Sequence, residues 1–172
     1  MTSMSQETQD IFVTGLRNAH GLETQAEQMI NRQLERLENY PQVAQQLRSH
    51  LAETQQQQQR LDTLLAQFST SPSSIKEVAM GFMANLQTLG HAVADDEILK
   101  NTFANLAFEN FEIASYKSLI AMAETFGQTQ AIGLLQQSLQ EEERMAKWIS
   151  DHVAGVTKQY CALRASGEKA DR

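Results

Sequence analysis

Apolar side chains return at steps of three and four along most of this chain, the spacing that aligns one face of an α-helix. Phe12, Leu16, Ala19, Ala26, Ile30 and Leu37 form the first such stripe, and Glu23 falls inside it. The pattern stops at Asn39-Tyr40-Pro41, where proline disfavours helical geometry in the residue before it and can itself open the next helix. Val43, Leu47, His50, Thr54, Gln57, Leu61, Leu64 and Phe68 carry a second stripe. That phase divides the run of five glutamines after Thr54: Gln57 faces inward, while Gln55, Gln56, Gln58 and Gln59 point outward as good helix formers.

The segment STSPSS closes the second helix, and Ser73 or Ser74 can cap a shorter one over 75–93. Asp95 or Asp96 is the next expected cap. A third long helix repeats Phe108, Glu112, Ser115, Leu119, Met122 and Phe126 and is broken by Gly127. A fourth carries Leu135, Leu139, Glu142, Ala146, Ile149 and Val153, and a flexible tail is expected over 163–172.

With only Pro41 and Pro72 in a chain rich in Ala, Leu, Gln and Glu, and no alternating β-branched runs, the sequence predicts an all-α fold. Two tight turns make two antiparallel hairpins. The connection of about 28 residues between them is long enough to run the length of a bundle, so that the second and third helices lie parallel. This is the ferritin-like four-helix arrangement with a long helical crossover, expected here as one domain over 1–172 with an ordered bundle over 8–162.

Charge narrows the partners. A net charge of −7 argues against nucleic acid or an anionic membrane surface, both of which reward clustered Lys and Arg. No apolar stretch approaches the roughly 20 residues of a membrane span and no signal-peptide core follows the start, so a cytoplasmic protein is expected. Cys161, the only cysteine, reads as an inert thiol.

The candidate chemistry lies in the glutamates. Residues equidistant from an antiparallel turn sit at one height, and Glu23 pairs in this way with Glu53 about the first turn, and Glu112 with Glu142 about Gly127. Each pair is 30 residues apart, and the two halves are offset by 89. Four inward carboxylates at one level would repel one another and lose hydration unless they shared protons, met cations or bound metal. The stripes offer almost no Lys or Arg, whereas carboxylates can bridge two divalent ions inside a helical bundle. Glu53 is the weakest of the four by phase, since Thr54 fits the repeat better. His50 and Glu109, each one turn from a matched glutamate, are further ligands or hydrogen-bonding neighbours, and His20 has the same offset before Glu23. Glutamate is common on exposed faces, so Glu27, Glu35, Glu141 and Glu143 are assigned to solvent, with His91 and His152 on the surface and the methionines as core filler.

The segments NAHGLETQAEQMI, NYPQVAQQLRSHLAETQQQ, FENFEIASYKSLIA and LQEEERMAKWI span all four long helices, and together they resemble the YciE/YciF-type ferritin-like stress proteins, with the YciE branch nearest. The resemblance implies a dimeric cytoplasmic bundle with a diiron-like centre and a role in bacterial stress, but no reaction. In one respect the chain departs from the wider ferritin-like pattern of Glu-x-x-His on the second and fourth helices. Here Glu53 is followed at that spacing by Gln56 and Glu142 by Met145.

Two functional readings follow. In the first, Glu23, Glu53, Glu112 and Glu142, with Glu109 and His50, hold two divalent ions, iron or manganese, that support oxidation of Fe(II) by oxygen or peroxide, with Tyr116 one turn from Glu112. In the second, a metal-free structural or partner-binding stress protein keeps the fold, its inner carboxylates protonated or paired with His20 and His50. A homodimer through outer helix faces is expected in either.

Overall fold

The computed structural model describes residues 6–68 and 95–172. The expected helix over 75–93, its serine caps and His91 lie outside the described residues. Within them the chain forms four helices, α1 (Gln6–Arg36), α2 (Pro41–Ala66), α3 (Glu97–Thr125) and α4 (Thr129–Ser166). Tyr40 leaves helical geometry at φ −125° and ψ 66°, and Pro41 starts α2 where its missing N–H costs nothing. Gly127 closes the second hairpin at φ +70°, a conformation that a side chain would oppose.

α1 packs beside α2 and α3, and α4 beside the same two helices. Two reciprocal hydrogen bonds join the Gln33 and Asn105 amides, whereas Tyr116 reaches Glu23, so α3 descends as α1 rises. α2 and α3 are therefore both antiparallel to α1 and parallel to each other. Phe68 meets the Phe12 ring edge-on at one end of the bundle, with ring centroids 5.9 Å apart. Asp95, whose carbonyl accepts from Tyr160, lies at the other end beside Tyr40 and Ile98. This is the crossover topology expected from the long connection.

Among the described residues the buried apolar side chains form four clusters, the larger two lying on either side of a polar level. One gathers Phe12, Leu16, Leu61, Leu64, Leu119 and Leu135, and the other Ile30, Leu47, Met145 and Ile149. Each fully buried leucine or phenylalanine contributes roughly 1.5–3 kcal/mol, which lets the core tolerate polar residues between the layers. On α3 the inner face is Phe108, Glu109, Glu112, Tyr116, Leu119 and Ala123, so the expected Ser115 and Met122 are only half-buried. On α4 it is Ser138, Glu141, Glu142 and Met145, with Leu139 and Val153 at its margin. A stripe assembled only from apolar residues drifts from the true face when that face is polar.

The chain end differs from the expected loose tail. α4 continues to Ser166, Gly167 turns at φ +78°, and the last residues fold back on the bundle end. Tyr40 donates its hydroxyl to the Ala170 carbonyl at 2.6 Å, and the Asn39 N–H donates to Arg172 at 3.1 Å. Asp96 occupies the cap position of α3, yet its side chain makes no capping bond and pairs with Lys100 instead. The Ile98 N–H is satisfied by the Asp171 carbonyl at 2.8 Å, so the terminus supplies a cap that the sequence assigned to an aspartate.

Candidate metal centre

Between the apolar layers every helix contributes to one acidic level. α1 brings Glu23, α2 His50, α3 Glu109 and Glu112, and α4 Glu142, none of them more than 3% exposed. The arrangement follows from helical phase: Glu23 continues the Leu16–Ala19 stripe, and Glu109 and Glu112 stand one turn apart above Phe108 and below Tyr116.

His50 is the hub. Its Nδ1 lies 3.1 Å from Glu53 Oε2, while Nε2 lies 3.2 Å from Glu109 Oε2 and 3.7 Å from Glu142 Oε2. One ligand atom from each of His50, Glu109 and Glu142 can be chosen so that all lie within 4.8 Å of one another, a group that could hold a metal ion. Tyr116 donates its hydroxyl to Glu23 at 2.5 Å, and Gln57 donates its amide to Glu142. Glu53 stands apart. Its side chain is 27% exposed, and its second oxygen accepts from Arg144 at 3.0 Å.

The electrostatics are those of crowded carboxylates away from water. Burial pushes Glu23 up to about 8, against the pull of the Tyr116 hydroxyl and His50. Glu112 and Glu142 are held well above the usual carboxylate range by burial first and by their acidic neighbours second. Burial alone would lower His50, but Glu109, Glu53 and Glu142 outweigh it and raise the imidazole well above its ordinary value. Glu53 goes the opposite way, because His50 and Arg144 overcome its partial burial.

Six carboxylate and imidazole atoms at this level have no partner except one another: Glu23 Oε2, His50 Nε2, Glu109 Oε2, both oxygens of Glu112 and Glu142 Oε2. His50 Nε2 and Glu109 Oε2 face each other at 3.2 Å. Buried polar atoms satisfied only by like-charged neighbours are costly, and the oxygen-and-imidazole donor set of His50, Glu109 and Glu142, within 4.8 Å of one another, fits a divalent cation.

The geometry thus gathers His50, Glu109 and Glu142, keeps Glu23 and Glu112 buried beside them, and leaves Glu53 at the rim. The turn-spaced pairs are His50/Glu53 on α2 and Glu109/Glu112 on α3, not on α2 and α4 as in the wider ferritin-like pattern. His20 pairs with Asp62 at 3.1 Å, so it serves neither Glu23 nor the layer. Glu141, assigned to solvent, is buried and paired with Arg60, which also donates to Ser138. The signal was present in the spacing Ser138–Glu141–Met145, a polar extension of the α4 face. His152 is not a bland surface residue either: it stacks on Trp148, ring centroids 4.0 Å apart.

Fold and site together define a ferritin-like four-helix bundle with a carboxylate-rich core. The family described as a domain of unknown function, DUF892, matches residues 7–162, and the chain belongs to that family. It is 27% identical over 139 residues to protein YciF of Escherichia coli K12, covering 78% of this chain and 83% of that one. Among solved structures it is similar to a protein of Xanthomonas campestris pv. campestris, with a TM-score of 0.76 and 26% identity over 92% of this chain and 99% of the other. The crystal structure of the E. coli stress protein YciF shares the fold, with a TM-score of 0.71 and 24% identity over 87% and 96% of the two chains. These matches bear out the resemblance to YciE/YciF-type stress proteins. No helix among the described residues is long and apolar enough to cross a membrane.

Proposed function

We propose that this bundle binds a pair of divalent metal ions, iron or manganese, in its acidic layer, and that it acts as a cytoplasmic, dimeric stress protein. Glu23, Glu109, Glu112, Glu142 and His50 are the protein ligands. Glu53 holds His50 by its Nδ1 so that Nε2 faces the ions, and becomes a ligand itself only by leaving Arg144. The observation that carries the reading is the buried His50–Glu109–Glu142 group, its ligand atoms within 4.8 Å of one another, with the buried Glu23 and Glu112 beside it. A dipositive ion removes both the repulsion among the carboxylates and the cost of their lost hydration.

An iron pair held there would supply the two electrons that reduce dioxygen with two protons to hydrogen peroxide, or hydrogen peroxide with two protons to two waters. The chain's own residues bind the ions, exclude bulk water and hold protons, the hydroxyl of Tyr116 on Glu23 being one such position. A metal-free structural role is the second reading, favoured by the Tyr116–Glu23 and Gln57–Glu142 bonds, which satisfy part of the layer with no ion.

Thermal unfolding of the metal-free protein against added Mn(II) separates the two. A ligand that binds only the folded state must raise the melting temperature with concentration, by about 2.7 kcal/mol of stability at a hundred times its Kd. A melting temperature that does not move with Mn(II) or, anaerobically, with Fe(II) favours the metal-free role.

A further inference from the structure

Among the described residues, α2 is the one helix that brings no fully buried carboxylate to the acidic layer. Its inward phase there is His50, Thr54, Gln57 and Leu61, all buried. Gln57 stands two turns from His50 on the same face of the helix, and both Gln57 and Glu142 are 0% exposed. The Gln57 amide donates to Glu142 Oε1 across the α2–α4 seam. An ionised carboxylate only accepts and an amide oxygen cannot donate, so the nitrogen is the Gln57 atom turned to Glu142.

That bond decides which oxygen of Glu142 faces the other ligands. With Oε1 taken by Gln57, Oε2 is left to the layer, and it lies 3.7 Å from His50 Nε2. The same Nε2 faces Glu109 Oε2 at 3.2 Å. A carboxyl group turns easily about its last bond and can present either oxygen or both, whereas one held by a donor presents a single atom in a fixed direction.

Packing does not explain Gln57. Its carbonyl Oε1 and the Thr54 hydroxyl, one turn apart and both buried, have no hydrogen-bond partner among the described residues. A buried amide that engages its nitrogen and leaves its oxygen bare carries a desolvation cost that an apolar side chain of the same length would not. The one group of Gln57 that is engaged is the one that reaches Glu142.

We propose that Gln57 is a positioning residue for metal binding: by holding Glu142 Oε1 it commits Oε2 to the ion shared with His50 and Glu109. This role rests on the metal reading, and it gives the Gln57–Glu142 bond a purpose there instead of making it a substitute for an ion. Glu53 acts on His50 in the same way from the rim, so two of the three ligands in the group are oriented by a side chain of α2.

Gln57→Met tests the role, because it keeps the length and removes the donor. In the full-length folded chain, isothermal titration with Mn(II) well below the melting temperature is expected to show binding at one position weakened by about 10- to 100-fold, with helical content and the metal-free melting temperature close to those of the wild type. Gln57→Asn keeps an amide but shortens its reach by one methylene, and is expected to weaken binding likewise. Thr54→Val removes a hydroxyl that bonds no ligand from the same buried face, and is expected to keep the wild-type affinity. Wild-type Mn(II) affinity in Gln57→Met or Gln57→Asn overturns the proposal, and a lowered metal-free melting temperature beside that affinity makes Gln57 a structural donor only. An equal loss of affinity in Thr54→Val overturns it too, by tracing the effect to packing. A wild-type chain that binds no Mn(II) removes the metal reading itself, whereas binding that the Gln57 variants leave intact keeps that reading and removes this one.

Discussion

His50 turns its Nδ1 to Glu53 at 3.1 Å and so presents Nε2 to Glu109 at 3.2 Å. A residue at the rim thereby fixes the ring of a residue at the centre. Carboxylates that orient an imidazole in this way raise its basicity and hold its tautomer, and removing one typically weakens metal binding 10- to 100-fold. Glu53→Ala should therefore weaken Mn(II) binding by about 10- to 100-fold, while Glu112→Ala, which removes two buried oxygens, should abolish one ion's binding. Isothermal titration of the two variants checks the order, and equal losses would place Glu53 among the ligands.

The metal-free protein should become less stable as pH rises. Glu23 titrates near 4.5 when unfolded and is pushed up to about 8 when folded, so the folded state holds the extra proton between those values. Its contribution is fully present below 4.5 and is lost as pH rises toward 8, and the raised Glu112 and Glu142 act in the same direction. Metal binding displaces those protons, so Mn(II) should stabilise more at high pH than at low. Melting curves with and without Mn(II) from about pH 5 to about pH 8 give the two slopes, and parallel slopes would contradict the account.

Arg60 and Glu141 form an ion pair with side chains 11% and 6% exposed. Removing one partner strands the other, a loss of about 3–5 kcal/mol in comparable buried pairs. Glu141→Ala should approach that value in urea unfolding. Glu143→Ala, whose pair with Lys117 is roughly half exposed on both sides, should stay within about 0.5 kcal/mol.

Residues 167–172 close the end of the bundle by accepting from Tyr40, Asn39 and Ile98. Truncation after Ser166 should cost about 1 kcal/mol per lost hydrogen bond, and amide exchange should quicken first at Ile98, in the opening turn of α3. Unchanged exchange there would mean that the tail is not held in solution.

Much of this was legible in the sequence because helical phase is rigid. Apolar stripes plus two turns fix which residues meet, and a carboxylate inside a stripe, such as Glu23 or Glu112, has nowhere to go but inward. The failures came where the inner face is itself polar. Glu141 was assigned to solvent because hydrophobicity was the guide, and its burial beside Ser138 is matched by Arg60, a residue on another helix. Glu53 was matched to the others by height but was the weakest of the four by phase, and in the structure Thr54 and Gln57 take the inward phase while Glu53 faces Arg144. The docked terminus could not be read at all, since its bonds to Asn39 and Ile98 use backbone groups that carry no residue signature.

The central claim is that the acidic layer exists to hold metal. The most direct measurement is metal content per chain after anaerobic loading with Fe(II), and separately Mn(II), comparing the native protein with the Glu112→Ala, Glu142→Ala double variant. About two ions per chain in the native protein, lost in the variant while its helical content is kept, is the predicted result. No stoichiometric metal in the native protein with either ion would contradict the account and leave the layer as a protonated core.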